Sequence, residues 1–246
     1  GAKLGESAGF NEINLNVGCP SQRVKSGAFG ACLMANPNLV SDCIKSMIDS
    51  VEIPVTVKSR IGIDNMDSES ELLDFVGTIS QAGCQTFIIH ARKAILEGLS
   101  PKQNREIPPL KYQRVFTVKK EFPDLEIIIN GGITHFDKIR LFLEKLDGVM
   151  VGREAYQNPF FLHQVDNNLF GEAPSDKSRL NYLEEFLPYI ELELAKGIPL
   201  AHMARHILGL FKGERGGKQF RRYLSENIHK KNAGIDIIMD ALQFVA

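Results

Sequence analysis

The chain has 246 residues, 43% hydrophobic and 24% charged, with a formal net charge of −1, a composition that fits one large globular domain or a large and a small one. It contains no apolar run of about 18 residues, so no membrane-spanning helix is expected, nor is a signal peptide expected. Its four cysteines, Cys19, Cys32, Cys43 and Cys84, form no CxxC pair and have no neighbouring His cluster. That spacing argues against a zinc site or a disulfide framework and for a reducing, cytoplasmic setting, or an organellar stroma or matrix for a eukaryotic source.

"GAKLGESAGF" reads as the end of a helix leading into a strand, so the chain is expected to begin inside a domain. Strands are then predicted at Ile13–Val17, Pro54–Lys58, Thr86–His90, Glu126–Asn130 and Gly148–Val151. "FIIH", "EIIIN" and "GVMV" are continuously apolar, as in parallel strands covered on both faces. Helical patterns alternate with them: one after Asn36-Pro37, an N-cap with Pro in the first turn, then about Ser70–Ala82, Tyr112–Phe122 and Phe136–Leu146. The rhythm predicts a parallel α/β sheet.

Nearly every strand ends in a polar or reactive residue: Cys19 past the first, then Lys58, His90, Asn130-Gly131-Gly132 and Gly152-Arg153. Ligands of a (β/α)8 barrel sit at the carboxyl ends of its strands, whereas a doubly wound sheet binds mainly at one switch point. The expected fold is therefore a TIM (β/α)8-type barrel, truncated at its N-terminus, with five strands present and three before Gly1. After Asn158-Pro159 helices alone are predicted, near Ser178–Lys196, Leu200–Lys212, Lys218–Asn227 and Ile235–Phe244. The expected domains are an incomplete barrel over 1–172 and a helical domain over 173–246. From Ala201 to Lys231 eight Lys/Arg face two acids, a charge of +6 that leaves −7 for the remainder. Such a segment suits a polyanionic partner, or is simply a solvated helix face.

Paired glycine loops with an arginine on successive strands point to phosphate binding. Lys58, costly to bury without an anion or electron-rich ring, and His90 are expected at the same mouth, with Arg60 and Arg92 two residues beyond them. Cys19, between Gly18 and Pro20, reads as an acid, base or nucleophile, or as a small buried hydrophobe. Cys32, Cys43 and Cys84 read as packing, the last two within helical patterns. No metal site is expected.

"NLNVGCPSQRVKSGAFGACLM", "VKSRIG", "IIHARKA", "GLSPKQNREIPPLKY" and "INGGI…GVMVGREAYQNP" resemble, in order and spacing, the flavin-dependent tRNA-dihydrouridine synthases, a likeness covering nearly the whole chain. Gly98–Tyr112 and "LSENIHK" resemble the A-type branch. The resemblance implies an FMN-dependent oxidoreductase using NADPH, acting as a monomer on D-loop uridines of tRNA at about position 20 and its neighbour. Lys58 and His90 would contact the isoalloxazine ring, and Asn130, Gly131, Gly132, Gly152 and Arg153 the FMN phosphate. Hydride would reach C6 of the uridine, and Cys19 would protonate C5. Asn14, Lys102 and Arg105 would contact RNA near the base, with Lys218 and Arg221 on the basic tail, and the loop through Gly27 and Gly30 would lie near the extruded base. Two alternatives stay open. One is a non-catalytic tRNA-binding homologue, since missing strands would leave sheet edges unpaired and the flavin site incomplete. The other is a flavin enzyme acting on a free pyrimidine, to which a basic tail would be superfluous.

Overall fold

In a strand successive side chains point to opposite faces, and the five strands of this chain use the two faces for different purposes. A computed structural model describes residues 1–21, 27 and 29–245, which divide into two units, Gly1–Val151 and Gly152–Ala246. The first holds a parallel sheet of β1 (Ile13–Val17), β2 (Val55–Arg60), β3 (Thr86–His90), β4 (Glu126–Asn130) and β5 (Gly148–Met150), in that spatial order. Register places Leu15, Val57, Phe87 and Ile127 in one row and Val17, Ser59, Ile89, Ile129 and Val149 in the next. Most of these side chains are wholly buried. At roughly 2 kcal/mol for each fully buried large apolar side chain, this face supplies much of the unit's stability. The alternate rows, Asn16-Lys58-Ile88-Ile128-Gly148 and Arg60-His90-Asn130-Met150, carry the polar residues.

After a short α1 (Ala2–Ser7), the crossover helices are α2 (Pro37–Ile48), α3 (Glu69–Gln81), α4 (Tyr112–Glu121) and α5 (Phe136–Leu143). α2 packs against β2, α4 against β4 and α5 against β5. Their starts are set by local chemistry. Asn36 Oδ1 accepts from Leu39 N at 3.2 Å with Pro37 in the first turn. Ser68 and Glu71 form a reciprocal capping box, which begins α3 one residue before its expected start. Three strand boundaries coincide with those read from the sequence. β2 instead runs two residues further, so Arg60, not Lys58, closes it. Continuous burial on both faces also does not extend to every strand: Ile128 and Asn130 are half-buried, as is all of β5. Cys84 is not helical. It lies in the turn before β3, where burial pushes its thiol up to about 11.

Among its described residues the second unit contains helices and turns and no strand: α6 (Arg153–Gln157), α7 (Val165–Phe170), α8 (Arg179–Ala195), α9 (Leu200–Ala204), α10 (Gly217–Asn227) and α11 (Asp236–Leu242). Leu183, Ile190, Leu200, Met203, Phe220, Leu224 and Ile238 centre its core. The segment Pro174–Lys177, expected to separate two domains, lies inside this unit. The helix expected over Leu200–Lys212 stops at Ala204, and 205–216 run as successive turns. Gly213 and Gly216 there adopt φ of +90° and +77°, which glycine takes without steric cost. No helix among the described residues is long and apolar enough to cross a membrane.

Ser59 is the one polar residue in the apolar rows, is 0% exposed, and its hydroxyl has no hydrogen-bond partner among the described residues. A buried, unsatisfied hydroxyl costs about 1–3 kcal/mol. Ser59→Ala is therefore expected to leave Tm unchanged or raise it in thermal unfolding, and a clear fall in Tm would show that the hydroxyl has a partner.

Candidate functional site

The polar rows converge at the carboxyl ends of β2, β3 and β4. Lys58 stands one row below Arg60 and His90, so the two expected cofactor residues are staggered rather than side by side. Asn130 joins them. Its Oδ1 lies 3.4 Å from Lys58 Nζ and its Nδ2 donates to Met150 O at 2.7 Å, locking the amide across three strands. Burial first, and the charge of Arg60 second, hold the Lys58 ammonium below its ordinary 10.5. His90 is buried, and its ring lies against the glycine pair after β4: a Cβ on Gly131 would come 3.2 Å from His90 Nε2. Gly131 and Gly132 have φ of +118° and +63°, and a Cβ on Gly132 would meet Leu110 at 2.6 Å. Larger residues would be strained there twice over, by conformation and by contact. Tyr112 Oη secures the turn by donating to Gly131 O at 2.7 Å.

The Cys19 turn is held from three sides. Gly18 N donates to Asn16 Oδ1 at 3.0 Å, Arg60 Nε donates to Gly18 O at 2.9 Å, and Ala31 N donates to Cys19 O at 2.9 Å. A Cβ on Gly18 would lie 3.3 Å from the Ser59 carbonyl carbon, so the turn passes close over β2. Cys19 itself stays half-exposed. Arg60 is 4% exposed, and its NH1 also donates to Lys93 O at 3.1 Å and Asn104 O at 3.0 Å. Burial, then the charge of Arg105, lower its guanidinium to about 10, with Cys19 opposing and Arg92 adding to the fall. Arg60 thus lies within electrostatic reach of the thiol and of two further arginines. Arg92, expected at the mouth, donates instead to the carbonyls of Glu106 and Pro108.

Lys102 and Arg105 are exposed on a short 3-10 turn around Gln103–Arg105, and Asn104 between them is fully buried. Asn14 does not join this cluster. It lies near the start of β1, paired with Thr56, and its amide donates to Thr56 Oγ1 at 2.8 Å. Asn16, two residues closer to Cys19, is the asparagine that the structure brings to the site. Of the loop expected near a bound base, residues 22–26 and 28 lie outside the described residues. Within the second unit, Gly152 caps α6 and Arg153 opens it, both exposed. Phe220, Leu224 and Asn227 form the buried face of α10, which leaves Lys218, Arg221 and Arg222 on its exposed face. Arg222 pairs with Glu226 at 2.8 Å and Lys212 with Glu154 at 2.9 Å, so part of the tail's positive charge is neutralised within the unit. Among the described residues no cluster of His, Cys, Asp or Glu could hold a metal ion.

Sequence reasoning missed Asn16 and Asn104 and gave Arg60 only a passing role. The clue for Arg60 lies in "VTVKSRIG", where an arginine between apolar residues must find acceptors once buried.

The dihydrouridine synthase (Dus) family profile matches residues 1–246. Over all 246 residues the chain is 56% identical to the tRNA-dihydrouridine(20/20a) synthase of Escherichia coli (strain K12), spanning 71% of that protein. It is 54% identical over 242 residues to the protein of the same name from Vibrio parahaemolyticus, covering 98% of this chain and 74% of that one. A phosphoenolpyruvate phosphomutase from Streptomyces platensis subsp. rosaceus superposes with a TM-score of 0.47 at 16% identity, over 93% of this chain and 91% of that one.

The unfolded chain keeps Lys58 protonated up to its ordinary 10.5, while the folded protein releases that proton earlier. Between the two values the unfolded state binds more protons, so the cost of the buried charge shrinks as pH rises. Lys58→Met is expected to be more stable than wild type at about pH 7 and to lose that advantage as pH approaches 10.5. Tm values of both proteins across that range check it, and a constant difference would show that the Lys58 proton is held equally in both states.

Proposed function

Because the chain belongs to the dihydrouridine synthase family, we propose that it reduces a uridine of tRNA to 5,6-dihydrouridine, at the 20/20a position that its relatives' names specify. The sheet is read as part of a TIM-type barrel whose mouth is the cluster of Lys58, His90 and Asn130, and the second unit as the helical tRNA-binding part. The observation that carries the reading is the cluster of polar side chains at the carboxyl ends of β2, β3 and β4. Lys58 is largely desolvated, and among the described residues it makes no ion pair and meets the neutral amide of Asn130. A desolvated ammonium without a carboxylate is suited to an anionic or electron-rich partner, and a flavin offers both a ring and a phosphate.

The donor set therefore fits FMN. Lys58 and His90 would face the ring, and Asn130, Gly131 and Gly132 would serve the phosphate end. For Gly152 and Arg153 a phosphate-binding role would rest on the family resemblance. When FMN is bound and reduced by NADPH, it supplies the hydride for C6 of the uridine.

The remaining chemistry falls to the chain's own residues. Reducing the C5=C6 bond needs one proton at C5, and the Cys19 thiol is the group assigned to give it. A useful acid must keep its place while a base enters and leaves. Asn16, Arg60 and Ala31 hold the backbone on both sides of Cys19, while its side chain stays half-exposed. A stacked uridine must first be extruded from the folded RNA, which takes binding energy from elsewhere on the tRNA. The exposed Lys102, Arg105, Lys218 and Arg221 are proposed to supply it through phosphate contacts that position the RNA without reading its sequence.

Cys19→Ala is expected to retain flavin absorbance near ~450 nm and tRNA affinity while losing dihydrouridine formation in single turnover, because only the acid is removed. Undiminished product would end the assignment of Cys19. A colourless wild-type protein that binds tRNA would favour the non-catalytic reading. Arg221→Ala is expected to weaken tRNA binding and to make the plot of log K against log salt shallower by about one counterion. An unchanged slope in a salt titration would remove Arg221 from the interface.

A further inference from the structure

An asparagine between two exposed cations in a loop would ordinarily be solvated. Asn104 is 0% exposed instead. Its Oδ1 accepts from Ile95 N at 2.7 Å, and its Nδ2 donates to Ile95 O at 2.8 Å and Leu99 O at 3.3 Å. A buried primary amide satisfied on both sides by backbone groups fixes the path of the chain around it, since every displacement breaks bonds that water cannot replace. The path fixed here is that of residues 95–105.

That path has a second consequence. The Asn104 main-chain carbonyl receives Arg60 NH1, and Arg60 Nε in turn holds Gly18 O, one residue before Cys19. Two hydrogen bonds and one rigid guanidinium therefore separate Asn104 from the thiol turn. If the loop moved, NH1 would keep Lys93 O alone, and the buried guanidinium would have to shift toward other acceptors and pull on Gly18.

We propose that Asn104 is a positioning residue for Cys19: by fixing the 95–105 loop it fixes the carbonyl that orients Arg60, and through Arg60 it sets the place of the Cys19 thiol. The proposal rests on the reading of Cys19 as the proton donor. It also gives Lys102 and Arg105 a meaning beyond charge. The segment assigned to RNA phosphates is the segment that steadies the acid, so docking and proton transfer share one support.

The test uses Asn104→Ala in the full chain. Cys19 alkylation by iodoacetamide is followed by peptide mass spectrometry, with Cys43 on α2 as the internal reference. The Cys19 rate relative to Cys43 is expected to rise at least about threefold as the turn loosens. In turnover with tRNA, kcat is expected to fall at least about tenfold, and KM to rise with it, because the loop that carries Lys102 and Arg105 loosens together with the acid; the alkylation ratio therefore decides the proposal. An unchanged Cys19-to-Cys43 ratio in a folded variant overturns the proposal. If Asn104→Ala does not fold, Arg60→Lys carries the same test, since lysine keeps the charge but cannot bridge three carbonyls in a fixed plane. The same rise supports the proposal, and an unchanged ratio overturns it. Alkylation needs neither flavin nor tRNA, so the ratio decides the positioning role even if the wild-type protein makes no dihydrouridine.

Discussion

A guanidinium taken out of water must be repaid in hydrogen bonds, and the first unit is arranged around one such group. Arg60 closes the second strand of the sheet and is almost wholly buried, with bonds to the carbonyls of Gly18, Lys93 and Asn104. Those residues belong to three different segments: the turn after β1, the start of the loop after β3, and the far end of that loop. A charge of this kind is weak evidence for net stability, because desolvation offsets much of what the bonds return. What it fixes is geometry. Two loops, one of them at two points, are tied to one planar fork on one strand.

The sheet makes that arrangement possible by separating its two faces. Its apolar rows are covered by α2, α4 and α5 and supply the hydrophobic stabilisation, so the opposite rows are free to hold lysine, arginine, histidine and asparagine. The staggered register then sorts these by depth. Lys58 sits one row below Arg60 and is bridged to β4 by Asn130. Arg60 and His90 share the outer row with Asn130 itself, and the glycine pair at positive φ follows at once. Deep cation, outer row and backbone turn come from three strands that a parallel sheet places about 5 Å apart. Family membership and this geometry support the same reading of the site.

The sequence disclosed much of this and hid the rest for identifiable reasons. β1, β3 and β4 stand at the residues where apolar runs begin and end, because burial on the helix-covered face is what such runs record. The apolar pattern ends β2 two residues before its end at Arg60. Lys58, Ser59 and Arg60 look like an exit from the core, and no hydropathy pattern shows that backbone carbonyls wait to receive an arginine. The same blindness explains Asn104, whose partners are main-chain atoms of other residues in its own loop. Asn14 and Asn16 are indistinguishable as letters in "INLNV". Only register shows that one is committed to Thr56 and the other caps the Cys19 turn. In the second unit the apolar spacing continues past Ala204, but Gly213 and Gly216 allow tight turns that the spacing does not anticipate.

The acceptors around Arg60 are all main-chain oxygens, and every amino acid carries one. The tie therefore constrains where the loops run and says almost nothing about which side chains they bear. A change at position 93 would leave its carbonyl in the fork, although it would cost the Lys93 side chain its bonds to Asp64 O and Asp67. Gly18 could not change in this way, because a side chain there would press on β2. Redesign of substrate preference could accordingly begin in this loop, provided that Asn104 and Arg60 are left in place.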